Sequence, residues 1–82
     1  MHTFYAIISK EACIGSLPEC IRWANDRIEN KQARIVKIAK ARPEDQNCQI
    51  IYEVDRAGVR ACHSGRVINL CLLKKAVKHG KS

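Results

Sequence analysis

Cys62 and His63 are the residues whose types first suggest a catalyst, since a thiol stands directly beside an imidazole. Neighbouring residues of an extended segment point to opposite faces, so this pair would not share a proton. A small metal-independent ribonuclease toxin would need groups that move protons and stabilise phosphate charge, and His63 with Arg60 and Arg66 is the set that the chain offers. We predict that the chain is not an enzyme and rank a ribonuclease-type toxin last among the functions considered.

Five cysteines are spread along the chain, at positions 13, 20, 48, 62 and 71. Zinc sites usually show two close pairs of Cys or His, whereas here only Cys62 and His63 are neighbours. An odd number of widely spaced cysteines also does not suit a disulfide-stapled domain. The sequence therefore predicts no metal, no cofactor and reduced thiols, which favours a cytoplasmic protein. The start of the chain shows no secretory signal.

Positive charge is the strongest functional signal. The formal net charge is +7, and residues 1–55 are neutral overall because eight basic side chains balance eight acidic ones. The whole surplus falls in residues 56–82, which contain no acid. A second acid-free run lies between residues 31 and 42 and would join the first if the strands bring the two together. Such a field attracts polyanions and depends strongly on salt.

These basic side chains and one aromatic group form the predicted binding site. Trp23 falls on the flank of a predicted helix, where it is either a contact for a partner or a packing residue. Arg27 follows one helical turn later, at a spacing that allows its guanidinium to stack on the indole. The predicted binding residues are Arg56, Arg60, Arg66, Lys74, Lys75, Lys78, Lys37, Lys40, Trp23 and Arg27.

Two hypotheses fit this charge layout. The first, which we favour, is a small non-catalytic binding protein that engages nucleic acid, or a nucleic-acid-like acidic surface, through its basic C-terminal third. The second is a stand-alone inhibitor that covers a host protein complex, as phage-encoded anti-defence and anti-CRISPR proteins do. A short chain without a cofactor motif, a linker or a catalytic set suits that role. No apolar run approaches the roughly 20 residues of a membrane span, so no membrane partner is predicted.

The elements that must position these groups begin with a helix between Ser16 and Lys31. Ser16, followed three residues later by Glu19, predicts a capping box, and Pro18 suits the first helical turn. Apolar residues then recur at helical spacing, which predicts one buried face. That face consists of Leu17, Cys20, Ile21, Ala24 and Ile28.

Four strands are predicted around this helix. Phe4–Ile8 is apolar on both faces, which suits a central strand, and Lys10–Gly15 is interpreted as the connection into the helix. Arg34–Ala41 indicates a strand whose inward face is ambiguous, with a bulge as one explanation. The third predicted strand has alternating inward residues, and only Ile51 breaks the pattern. The inward residues are Cys48, Ile50, Tyr52 and Val54. Val59–His63 is predicted to pair with this third strand as a hairpin, after a turn at Gly58.

A second helix is predicted from about Gly65 to His79. Ser64 would cap it, lysines stand in its last turns and glycine follows its end. Val67–Leu73 places apolar residues on more than one helical face, so a buried strand there is the competing assignment. The predicted fold is a single α+β domain over residues 1–82, of order β-α-β-β-β-α, with a mostly antiparallel sheet and both helices on one face.

This order, without its first strand, is similar to the α-β-β-β-α arrangement of double-stranded RNA-binding domains and of the small toxins that share it. The likeness lies in element order alone. Those domains depend on basic residues at the start of the last helix, where this chain has only Arg66. Element order does not transfer function, so no family is assigned.

Overall fold

The computed structural model describes residues 2–9, 11–42, 44–62 and 65–70, and the backbone of residues 75–78. Within these residues the architecture is α+β, with one helix against a mostly antiparallel sheet. The elements are β1 (Thr3–Ile8), β2 (Glu11–Gly15), α1 (Leu17–Glu29), β3 (Val36–Ala41), β4 (Asn47–Asp55), β5 (Gly58–Ala61), β6 (Val67–Asn69) and β7 (Lys75–Lys78). The strand order is β5-β4-β3-β1-β2-β7, and β6 also pairs with β4.

Strand β2 lies where the sequence predicted a connection, so that prediction is wrong. It pairs antiparallel with β1, and Ile8 lies opposite Glu11, so only two residues separate the strands. Ser9 there has a positive φ of 55°. Two-residue hairpin turns usually contain Asn-Gly or a similar pair of residues. Ser9 and Lys10 lack that signal, which is why the hairpin is not visible in the sequence.

The predicted helix from Gly65 to His79 is also wrong within the described residues. Val67–Asn69 pairs with β4, and Lys75–Lys78 pairs in parallel with β2. The helix signals were local, whereas each segment gains hydrogen bonds along a strand of an existing sheet. The competing assignment, a strand from Val67 to Leu73, agrees with the structure up to Asn69, and residues 71–74 lie outside the description. With one helix described, the likeness to an α-β-β-β-α order is not retained.

The helix α1 begins as predicted. The Ser16 amide donates to Glu19 Oε1 at 2.9 Å, and the Glu19 amide donates to Ser16 Oγ at 3.4 Å, which completes the capping box. Gly15 makes room for it, because a Cβ at that position would lie 2.7 Å from Glu19 Oε1. Pro18 lies in the first turn, where an amide has no partner within the helix. The start of the helix is therefore set by residues adjacent in sequence.

Replacing Ser16 with alanine should lower the free energy of unfolding by about 1 kcal/mol through loss of the cap. Urea denaturation followed by circular dichroism measures the effect. Ser16→Asp is the matched control, because an aspartate also caps a helix and should keep most of the stability. An unchanged midpoint for Ser16→Ala would contradict the assignment.

One face of the sheet packs against α1. The buried helix residues are Cys20, Trp23, Ala24 and Ile28. Their sheet partners in this cluster are Ala6, Cys13, Val36, Ile38 and Val54. Trp23 thus takes a place in the buried face that was predicted for Ile21, which is only partly buried. Small side chains at Cys20 and Ala24 let the helix approach the sheet, and the large indole fills the space beside them.

Strand β4 does not keep one inward face, because it is bulged at Ile51. Tyr52 and Val54 pack on the helix side, whereas Cys48 and Ile50 pack in a second cluster. The β3 partners of Tyr52 and Ile50 are consecutive residues, so Ile51 has no partner on β3. One extra residue reverses the alternation beyond it. The bulge therefore lets β4 contribute to both clusters.

The second cluster explains why β1 is apolar on both faces. It contains Ile7, Ala12, Ala39, Ala41, Cys48 and Ile50. Cys62, Ile68 and Leu70 pack against it, so residues that follow β5 help to cover this side of the sheet. β1 lies between β3 and β2, which confirms the prediction of a central strand.

Candidate nucleic-acid interface

Two of the predicted binding residues are paired with acids on the sheet. Lys37 on β3 and Arg60 on β5 lie on either side of Glu53 on β4, as the strand register requires. Lys37 Nζ is 3.0 Å from Glu53 Oε2, and Arg60 Nη2 is 2.9 Å from Asp55 Oδ2 and 3.5 Å from Glu53 Oε1. This row of alternating charge offers a polyanion little net attraction.

A cleft of about 670 Å³ opens beside the C-terminal end of α1. Its lining residues are Ile28, Lys31, Gln32, Ala33, Arg34 and Arg56, and we call it the basic cleft. Arg34 precedes β3 and Arg56 follows β4, and since Val36 pairs with Val54 these two chain segments lie side by side. The structure thus brings Arg56, from the C-terminal basic run, together with Lys31 and Arg34 from the second acid-free run.

The basic cleft carries positive charge that is not compensated locally. All eight acidic residues of the chain lie in its described part, and none of them lines the cleft. Lys31, Arg34 and Arg56 are exposed, and in the described ranges none of them forms an ion pair. No carboxylate within ion-pair distance therefore competes with an anion for these three cations.

Lys31, which lines the cleft, has a strained backbone conformation. The helix ends in a Schellman arrangement, in which the Lys31 amide donates to the Ile28 carbonyl at 3.1 Å and the Gln32 amide to the Arg27 carbonyl at 2.8 Å. Lys31 holds the left-handed position with φ of 61°. Glycine is the usual residue there, and any other L-residue costs about 1 kcal/mol. Strain of this kind is often found at functional sites.

Replacing Lys31 with glycine should raise the free energy of unfolding by about 1 kcal/mol, because glycine takes this backbone conformation without strain. Thermal denaturation measures the change. Lys31→Ala is the control: it removes the same charge and keeps the strain, so its melting temperature should not rise. Equal melting temperatures for the two variants would show that the backbone is not the cause.

Arg27 connects the buried Trp23 to Gln32 in the lining of the basic cleft. Trp23 is only 6 % exposed and packs in the core, so it is a packing residue in the free protein. The guanidinium carbon of Arg27 lies 4.9 Å from the centroid of the indole, and Arg27 Nη1 donates to Gln32 Oε1 at 2.9 Å. Gln32 was not among the predicted binding residues, and no sequence signal marks it, because its contact with Arg27 depends on how the helix ends.

The other predicted binding residues do not gather at the cleft. Lys40 lies near His2 and Gln49, and Arg66 lies in a groove with Ile7 and Lys37. Lys75 and Lys78 belong to β7, at the opposite end of the strand order from β5. Lys74 and His63 lie outside the described residues. Within the described residues, these predicted binding residues therefore lie at separate places on the sheet.

Three of the four described thiols are buried. These are Cys13, Cys20 and Cys48, whereas Cys62 is partly buried, and none of the four described cysteines forms a disulfide. Burial raises the pKa of Cys20 to about 12 and, with the same main cause, raises that of Cys48. A thiol with a raised pKa is a poor nucleophile at neutral pH.

The described residues lack two further features. They contain no group of three or more His, Cys, Asp or Glu side chains placed to hold a metal ion. They also contain no helix long and apolar enough to cross a membrane. Comparison of the chain with protein families, with curated proteins and with solved structures finds no match.

Proposed function

We propose that this chain is a small non-catalytic nucleic-acid-binding protein that holds the phosphate backbone of its ligand at the basic cleft. The supporting observation is the convergence of Lys31, Arg34 and Arg56 on one cleft that none of the chain's acids lines. Elsewhere, Lys37 and Arg60 are held by carboxylates. Among the described residues, the cleft thus brings together three cations that form no ion pair.

The chemistry of the lining favours binding over catalysis. Lysine and arginine are protonated at neutral pH and donate without accepting a proton, and the glutamine amide is neutral. Such groups stabilise negative charge but do not serve as a general base. The apolar walls at Ile28 and Ala33 can contact a sugar or a base while the cations hold the phosphates.

Binding should depend on salt to an extent set by the number of phosphates neutralised. Three contacts correspond to a slope of log K against log salt concentration of about −2 for a single strand and about −2.7 for a duplex. Fluorescence anisotropy with short labelled single strands and duplexes, between about 50 and 200 mM salt, measures these slopes. We expect binding that weakens steadily along such a line. Absence of binding at the lowest salt concentration would overturn the proposal.

An inhibitor that covers a host protein complex is the second candidate, and one observation favours it. Ile35 and Val67 are 45 % and 56 % exposed, and both line the groove that also contains Ile7 and Ile68. Exposed aliphatic side chains in one groove suit a protein surface better than a phosphate backbone. Capture of partners from a host lysate, with and without nuclease, separates the two functions. A nucleic-acid-binding protein should lose its captured partners after nuclease treatment, whereas a protein inhibitor should keep them.

A further inference from the structure

We propose that Gln32 is a fixed, neutral hydrogen-bond donor of the basic cleft, that Arg27 and Trp23 are its positioning residues, and that its amide binds a phosphate oxygen of the nucleic acid. This inference rests on the proposed function and adds a residue and a mode of recognition to it. The site joins an uncharged donor to three cations. Its ligand is therefore an oxyanion that the cations attract and that the Gln32 amide orients through a hydrogen bond.

The orientation of the Gln32 amide follows from its contact with Arg27. Arginine only donates hydrogen bonds, so the atom of Gln32 that lies 2.9 Å from Arg27 Nη1 is the amide oxygen. The amide nitrogen then keeps both of its hydrogens for another acceptor. Gln32 is exposed and lines the cleft, and in the described part of the chain its amide nitrogen has no partner. It is available to an acceptor that enters the cleft.

Gln32 is held at both its backbone and its side chain. Its backbone amide donates to the Arg27 carbonyl at 2.8 Å, and its side chain accepts from the Arg27 guanidinium. Arg27 is in turn stacked on Trp23, which the core holds in place. A donor that is already ordered loses little conformational entropy when the ligand binds. The arrangement therefore increases what one hydrogen bond contributes to affinity.

Arg27 carries a cost that a residue serving the fold alone would avoid. Its Nε–H group is buried, and among the described residues it has no hydrogen-bond partner. A buried donor without a partner destabilises the folded state. Methionine would cover the indole with a similar volume and leave no donor unsatisfied. An arginine provides two contacts here that a methionine would not, the cation–π contact with Trp23 and the hydrogen bond to Gln32.

The test separates a directed hydrogen bond from general positive charge. Releasing counterions makes cation contacts salt-dependent, whereas a neutral donor releases none. In anisotropy titrations with a labelled single strand, Gln32→Ala should weaken binding by about tenfold or more at every salt concentration, the loss of one hydrogen bond to a charged acceptor. The slope of log K against log salt should stay unchanged. Gln46→Ala, which removes an exposed amide outside the cleft, is the matched control and should bind like the wild type.

The positioning role of Arg27 is tested by a double-mutant cycle. Arg27→Met should fold with a similar melting temperature, and it should bind at least as weakly as Gln32→Ala, since it also removes one positive charge. The double variant should be no weaker than Arg27→Met, because both changes remove the same hydrogen bond. If Arg27→Met does not fold, Arg27→Lys replaces it: lysine keeps the charge but lacks the planar guanidinium that stacks on the indole, so binding should weaken with an unchanged salt slope, and wild-type affinity would overturn the positioning role.

The outcomes distinguish this inference from the proposed function. Wild-type binding with the expected salt slope, together with unchanged affinity of Gln32→Ala, would overturn the role of Gln32 and leave nucleic-acid binding standing. Additive losses in the double variant would overturn the positioning role of Arg27. A wild-type protein that binds no nucleic acid would overturn both.

Discussion

Reversing the charges of Arg34 and Arg56 to glutamate should abolish detectable nucleic-acid binding near physiological salt. The double change turns a cleft with three cations into one with a single cation and two acids. It lowers the formal net charge from +7 to +3, since each reversal removes two units. Attraction becomes repulsion at the place where the phosphates are expected to lie. Both side chains are exposed, so the fold should remain intact.

The matched control reverses Arg22 and Arg42, which are also exposed and do not line the basic cleft. This control variant also has a formal net charge of +3, because it too replaces two arginines with glutamates. Anisotropy with a labelled single strand should show a moderate, salt-dependent loss for the control and no binding for the cleft variant. Equal losses in the two variants would mean that net charge alone governs binding and that the cleft has no special role.

Replacing Trp23 with alanine should have the largest effect on stability. The indole is 6 % exposed and belongs to the cluster between helix and sheet. Truncation of such a residue costs about 3–5 kcal/mol, a large part of the total stability of a small domain. Guanidinium denaturation measures the loss. A change below about 1 kcal/mol would contradict the burial of the indole.

Trp23→Phe is the companion variant, because it keeps an aromatic face for Arg27 and loses less buried area. It should be less destabilised than Trp23→Ala and should retain nucleic-acid binding. If Trp23→Ala binds weakly under conditions where it is folded, Arg27 and Gln32 are no longer held in position. The indole itself is buried and does not contact the ligand.

The helix and the central strands could be predicted from the sequence because their signals are local. The capping box from Ser16 to Glu19 fixes where the helix begins, and the apolar faces of Phe4–Ile8 indicate a central strand. Ile51 interrupted the alternating pattern in the sequence. Whether the extra residue of a bulge lies in β4 or in β3 depends, however, on how the two strands pair. The bulge therefore becomes clear only when both strands are seen together.

The hairpin of β2 and the strands near the C-terminus were not predictable for a different reason. Ser9 and Lys10 carry no turn signal, and the capping signals after residue 64 are those of a helix. For the strands near the C-terminus, the decisive interactions are hydrogen bonds between segments distant in sequence, as when β7 pairs with β2. A propensity of a few tenths of a kcal/mol per residue is easily outweighed by such pairing.

The sequence predicted only some features of the basic cleft. Composition located the acid-free runs, but it did not show that Lys37 and Arg60 are held by Glu53, since that depends on strand register. Nor did it show Arg56 beside Arg34, which follows from the pairing of β3 with β4. Charge patterns predict the attraction of a polyanion, whereas the register of the sheet determines where it can bind.

An NMR titration of the ¹⁵N-labelled protein with a short single-stranded oligonucleotide tests the central claim most directly, because it locates the ligand without a mutation. Nucleic-acid binding at the basic cleft predicts that the largest backbone amide shift changes fall at Lys31–Arg34 and at Arg56, and that they diminish as salt is added. Amide shifts that move only around Ile7, Ile35 and Val67, or no shifts at all, would contradict it.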